Sequence, residues 1–90
     1  MQDREIIHGG PVPVYQQLAS ILRELITSGE LAKDQALPSE SYLVQQYGIS
    51  RASARHAVAF LRGEGLVYTV QARGTYVAEQ GNRAKQATGS

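Results

Sequence analysis

The 90-residue chain contains no cysteine, which removes disulfides, a thiolate nucleophile and every sulfur-ligated zinc site together. Only two histidines are present, His8 and His56, and His8 lies in a polar N-terminal stretch, so a histidine metal site is a poor reading. No apolar run approaches the roughly 20 residues that a bilayer-spanning helix needs, and no signal-peptide core is visible. Internal repeats, a glycine-rich phosphate cradle and a usable histidine–carboxylate pair are all missing. Nothing points to an enzyme, and no cofactor is expected. What remains is one small soluble domain with a modest core, compatible with a reducing cytoplasm.

Net charge is nearly absent too, at +1, but its distribution is uneven. Residues 1–49 carry three Lys/Arg against six Asp/Glu, whereas residues 50–77 carry four arginines (Arg51, Arg55, Arg62, Arg73) against Glu64 alone. Phosphate binding needs local positive charge rather than a high global one. A solvated basic helix face is the plainer reading of the same residues.

Within that basic segment, Gly48-Ile49-Ser50 reads as a tight turn and a serine N-cap opening a helix. Ala54, Ala57, Val58 and Leu61 recur at i, i+3, i+4 and i+7, which is one apolar stripe. Arg51, Ala52, Arg55, His56 and Ala59 fall on the other side, two guanidiniums among small side chains. Such a face suits the major groove of DNA, where arginine reaches phosphates and the O6/N7 edge of guanine.

Punctuation divides the rest of the chain. Residues 1–11 form a polar, flexible arm containing Gly9-Gly10-Pro11 and are expected to be disordered or loosely docked. Val14, Leu18, Ile21, Leu22, Leu25 and Ile26 predict a first helix from Val12 or Pro13 to Ser28, with Pro13 in its first turn and Gly29 as its stop. After a loop over 30–37, Pro38 biases Leu37 toward extended backbone and Ser39 caps a second helix ending at Gly48. Glu40 opens that helix and favours the positive end of its dipole. The third helix reaches about Arg62. Two β-prone runs, 66–70 and 75–77, then form a hairpin whose tip is Gln71-Ala72-Arg73-Gly74. The fold class is mainly α with a small β-hairpin: three helices plus a two-stranded wing, spanning 12–78. Residues 79–90 read as a linker or disordered tail. Tyr42, Tyr47, Tyr68 and Tyr76 read as core-edge packing rather than a base-stacking platform.

Five pieces in this order and spacing carry a resemblance: Tyr15-Gln16-Gln17-Leu18, Gly29-Glu30-Leu31, Leu37-Pro38-Ser39-Glu40, the third-helix segment, and the hairpin ending at Val77. From about Pro11 to Val77 they resemble the N-terminal winged helix-turn-helix domain of the GntR family of bacterial transcription regulators. The resemblance implies sequence-specific binding of double-stranded DNA, by a repressor, with helix 3 in the major groove. Helix 2 and the wing would grip the backbone and adjoining minor groove. It implies inverted-repeat operators read by dimers, and a cytoplasmic location, on the nucleoid when bound. It also implies a C-terminal effector-binding and dimerisation domain, so a small-molecule effector is expected only where such a domain follows. An excised DNA-binding domain is expected, with a natural short member as the alternative. Free in solution, the chain is expected to be a monomer or weak dimer. The competing reading is a winged-helix protein-interaction module without DNA binding, against which the arginines on one surface argue.

Arg51 and Arg55 lead the candidate contacts, because the family pattern Ser-Arg-x-x-x-Arg uses both on bases or phosphates. Ala52 leaves room for close approach. Ser50 and Ser53 are candidate phosphate donors, Ser50 doubling as a cap. His56 is either a base or phosphate contact or a solvated histidine. Ser39 caps helix 2 where the family's helix 2 meets the backbone. At the wing, Arg73 is placed to reach the minor groove or a phosphate, Gly74 permits close approach, and Gln71 is a weaker contact. Four positions, at three sites, depart from the family. Lys33-Asp34 replace Pro-Gly, Ser41 replaces an arginine, and Ala72 replaces the first glycine of Gly-Arg-Gly, so a different turn type is expected there. Restoring the family residue with Ser41→Arg is expected to add one phosphate contact and steepen the salt dependence of DNA binding by roughly 0.9 log units per log unit of salt. Titrations at several salt concentrations read that slope directly.

Overall fold

The apolar stripes decide where the helices form and how they sit. In the computed structural model, which describes residues 5–79, they run as α1 (Val14–Thr27), α2 (Glu40–Tyr47) and α3 (Arg51–Gly63). They are followed by β1 (Val67–Val70) and β2 (Gly74–Val77). Residues 1–4 of the expected arm and 80–90 of the expected tail lie outside the described residues. The two strands form one antiparallel hairpin, registered Val67↔Val77, Tyr68↔Tyr76, Thr69↔Thr75 and Val70↔Gly74.

Leu18, Leu22 and Ile26 of α1 close over Ala54, Ala57 and Leu61 of α3, and all six are buried. Leu43 of α2, Ile49 of the turn, and Leu66, Val67 and Val77 of the hairpin complete that cluster. Ala19, Ala54 and Ala57 bury only a methyl each, so larger side chains there would overpack the core and push the helices apart. Among the described residues no polar or charged side chain is buried, and no buried side-chain polar atom lacks a partner.

The helix ends follow local chemistry, with small shifts from the sequence expectation. Pro13 lies outside α1 as its N-cap, not within the first turn, and it makes no side-chain cap. Ser39 and Ser50 cap α2 and α3 by accepting from the backbone N–H of Tyr42 and Ser53, each at 3.0 Å. Gly48 ends α2 at φ 63°, the left-handed conformation that turns the chain into α3. Helix α3 runs one residue further than expected and closes beyond Glu64 with Gly65 at φ 79°, where Gly65 N–H meets Arg62 O and Leu66 N–H meets Leu61 O.

Two stretches expected to be irregular are tied down. The 30–37 loop lies along the free edge of β2: Asp34 and Leu37 donate to Val77 and Thr75, Val77 donates back to Gln35, and Ala36 bridges Tyr76. Residues 5–12 have no regular structure, yet Gln17 grips them from α1. Its Oε1 accepts from Ile7 N–H at 2.7 Å, and its Nε2 donates to Ile7 O and Val12 O, each at 2.9 Å. Ile6 packs against the core.

Both departures from the family's turn glycines are corrections of the same kind. Asp34 and Ala72 take up φ 65° and φ 67°, so both positions adopt left-handed backbone without glycine. Asp34 is held there by the Tyr68 hydroxyl, which donates to it at 2.7 Å, and by Lys33 at 3.4 Å. The hydrogen bond from Tyr68 is the main reason its carboxyl sits below the ordinary value, and the same contact raises the Tyr68 hydroxyl. Tyr68 is therefore no simple core-edge residue: it is exposed, stacked on Tyr76 at 5.8 Å, and hydrogen-bonded to the loop. Tyr42 is exposed outright. At Ala72 the methyl makes the left-handed turn costly, so Ala72→Gly is expected to stabilise the fold by about 1 kcal/mol. Asp34→Gly, which also loses the Tyr68 contact, is expected to give no such gain. Urea unfolding of the two variants checks the contrast.

Candidate nucleic-acid interface

The α1–α3 packing rotates α3 so that Arg51, Ala52, Arg55 and His56 face solvent while Ser53 is half-buried. The turn through Gly48 and Ile49 then brings the N-terminus of α2 against the first turns of α3. That juxtaposition creates a contact that the sequence reading did not foresee. Glu40, the first residue of α2, takes both leading arginines on one carboxylate. Arg51 Nη1 donates to Oε1 at 2.7 Å, and Arg55 donates from Nε to Oε2 at 2.6 Å and from Nη2 to Oε1 at 3.4 Å. The arginine side chains remain 55% and 69% exposed, against 29% for Glu40.

Arg55 meets Glu40 with the side of its guanidinium, through Nε and Nη2. Among the described residues its Nη1 hydrogens and one Nη2 hydrogen have no partner, and these form the end-on fork that matches guanine O6/N7. Arg51 commits a single Nη1 hydrogen. The cluster therefore carries a net charge of about +1 with most of its donors still available.

The other candidates separate into distinct roles. A groove of about 480 Å³ runs between the α2 N-terminus, α3 and the wing, and its lining includes Ser39, Glu40, Arg55, Arg62, Arg73 and Gly74. Ser41, Ser50, Arg51, Ala52, Ser53, His56 and Gln71 lie outside that lining, and all but half-buried Ser53 are exposed. Ser50 Oγ donates to Ser53 Oγ at 3.1 Å, so its proton is used within the cap. His56 is not simply solvated: it stacks on Tyr15 of α1, centroids 3.6 Å apart and planes within 9°. Phe60 meets Tyr15 edge-on, Arg23 lies over Phe60, and Arg23 pairs with Glu64 at 2.9 Å, so this seam fastens the exposed side of α1 to α3.

The wing is positioned by a second unforeseen contact. Arg62 Nη1 donates to Thr69 Oγ1 at 2.9 Å, and Thr69 and Thr75 face each other across the strands at 3.3 Å. Arg62 is thus a brace between α3 and the hairpin. Arg73, one residue past Ala72 in the turn, is exposed, and no side-chain partner is seen for its guanidinium among the described residues. No group of three or more His, Cys, Asp or Glu residues that could hold a metal ion is found among the described residues.

Three helices in helix-turn-helix order with a two-stranded wing, and arginines projecting from the third helix and the wing tip, define a winged helix-turn-helix DNA-binding domain. A family model described as bacterial regulatory proteins, gntR family, matches residues 14–77, and the chain belongs to that family. It is 44% identical over 69 residues to the HTH-type transcriptional repressor NagR of Bacillus subtilis (strain 168), covering 77% of this chain and 28% of that one. To the mannosyl-D-glycerate transport/metabolism system repressor MngR of Escherichia coli (strain K12) it is 41% identical over 71 residues, covering 79% and 30%. A crystal structure of the AraR DNA-binding domain in complex with operator ORE1 superposes with a TM-score of 0.76 at 38% identity, covering 82% of this chain and 98% of that one. The chain thus spans under a third of the two curated relatives' length.

The Arg55 and Arg51 hydrogen bonds, in that order, hold the Glu40 carboxyl below its ordinary value of 4.5. A carboxyl depressed in the folded state contributes fully above its unfolded value and loses that contribution as pH falls through the folded one. The arginine clasp is therefore intact at neutral pH and is lost only as pH falls below 4.5. Carbon-detected NMR titration of the Glu40 carboxyl is expected to show a midpoint below 4.5, moving back toward that value in Arg55→Ala.

Proposed function

We propose that this domain reads an operator with α3 in the major groove and represses transcription where that operator overlaps a promoter. Arg51 and Arg55 are the reading residues. Ala52 allows the helix to approach, and Ser39, Ser41 and Ser53 meet the flanking phosphates, while the Ser50 hydroxyl stays committed to the helix cap and joins them only if it exchanges Ser53 for a phosphate. His56, held by Tyr15, lies at the edge of the contact. Arg73, with Gln71 and Gly74, carries the wing to the minor groove or the backbone beside it.

The observation that carries the reading is the pair of exposed guanidiniums presented side by side from α3, with a further exposed arginine at the wing tip. Two domains occupying an inverted repeat is the arrangement we infer, with DNA supplying most of the proximity. Among the described residues no helix is long and apolar enough to cross a membrane, and a cytoplasmic protein associated with the nucleoid when bound fits the reading. A small-molecule effector would act through a further domain.

Selecting bound sites from random duplexes at a fixed salt concentration tests this. An enriched inverted repeat occupied by two copies is the expected result. Arg51→Ala and Arg55→Ala are each expected to weaken binding to that site by roughly 1–3 kcal/mol and to relax preference at individual base pairs. If both variants bind it like the parent chain, α3 is not the reading element.

A further inference from the structure

We propose that Glu40 sets the domain's specificity: its carboxylate positions both reading arginines and suppresses their binding to phosphates at random sequence. This rests on the DNA-binding reading above. The observations are the shared carboxylate, the side-on geometry of Arg55 and the exposure of both guanidiniums.

A long arginine side chain loses rotamer freedom when it docks, and an unanchored one docks on whichever anion is nearest. Glu40 removes most of that freedom in advance. It also occupies the face of Arg55 formed by Nε and Nη2, which would serve equally well on a phosphate. The remaining fork is the one suited to a guanine edge. Charge acts in the same direction, because two guanidiniums on one carboxylate offer DNA about one net positive charge rather than two. Counterion release is the sequence-independent part of the affinity, and it scales with that charge. Specificity is a difference between two affinities, and Glu40 lowers the non-specific one more than the specific one. Glu40 is a positioning residue: it touches the arginines, and DNA only through them.

Glu40→Gln keeps the side-chain length and one acceptor while removing the charge; Glu40→Asp keeps the charge. Each folded variant, checked by circular dichroism and its unfolding midpoint, is titrated against two probes across a salt series. The probes are a duplex selected by the parent chain and an unrelated duplex of the same length. For Glu40→Gln, binding to the unrelated duplex is expected to tighten about tenfold. Its salt slope is expected to steepen by about 0.9, while operator affinity changes less than threefold. Glu40→Asp is expected to restore the parent slope. Parallel loss on both duplexes with an unchanged slope would mean that Glu40 only stabilises α2, and would overturn the inference. Equal slopes and equal selectivity in the parent chain and Glu40→Gln would overturn it as well. Should the parent chain itself prefer no sequence, the failure would belong to the operator-reading proposal instead.

Discussion

Everything functional in this domain depends on one buried stripe. Ala54, Ala57 and Leu61 of α3 are at most 1% exposed, pressed against α1, where Leu18 and Leu22 are as deeply buried. A helix has only one rotation that buries all three at once. Once it is adopted, positions 51, 52, 55 and 56 are committed to solvent. The arginine-bearing face is thus a consequence of packing, and its precision derives from a core of aliphatic side chains and methyl groups. The Tyr15–His56 stack and the Arg23–Glu64 pair add a second, exposed line of contact along the same two helices. Exposed pairs of this kind contribute little stability individually, but they oppose any roll of α3 about its own axis.

A basic surface read as a sum of charges would mislead here. Of the four arginines between residues 50 and 77, two are clasped by Glu40 and one braces the wing through Thr69. That leaves Arg73 as the arginine of this group that reaches solvent without a side-chain partner among the described residues. The charge is organised before any DNA arrives: the helix arginines are oriented, the wing is fixed to α3, and the guanidinium with the most freedom sits at the tip. Freedom at that point is consistent with a minor-groove or phosphate contact, whereas base reading demands geometry.

Most of the architecture was legible because each element announces itself locally. The stripes of α1 and α3, the serines before α2 and α3, Gly48, and the β-prone runs on either side of Arg73 all act over a few residues. What escaped was contact between elements. Nothing in Pro38-Ser39-Glu40 indicates that a carboxylate there will meet arginines 11 and 15 residues later, because that depends on the angle at which α2 meets α3. The same holds for Arg62 with Thr69, for His56 with Tyr15, and for Tyr68 with Asp34, 34 residues away. The turn at Ala72 was misjudged for a different reason. Propensity disfavours alanine at positive φ, but four ladder pairs between β1 and β2 set the hairpin register and override a single-residue preference.

That override bears on how the wing performs its part. A two-stranded hairpin alone is barely stable, and this one gains a third line of backbone hydrogen bonds from the 34–37 segment on the outer edge of β2. The segment is anchored at one end by the Asp34–Tyr68 contact and at the other by Leu37, which is buried in the core next to the start of α2. The loop that delivers Ser39 and Glu40 to α3 is therefore the same loop that stiffens the wing carrying Arg73. A shift of α2 would be felt at the wing, and a disturbance of the wing would be felt at the Glu40 clasp. The two halves of the interface are thereby coupled through a short stretch of paired backbone, in addition to the direct Arg62–Thr69 brace between α3 and the hairpin.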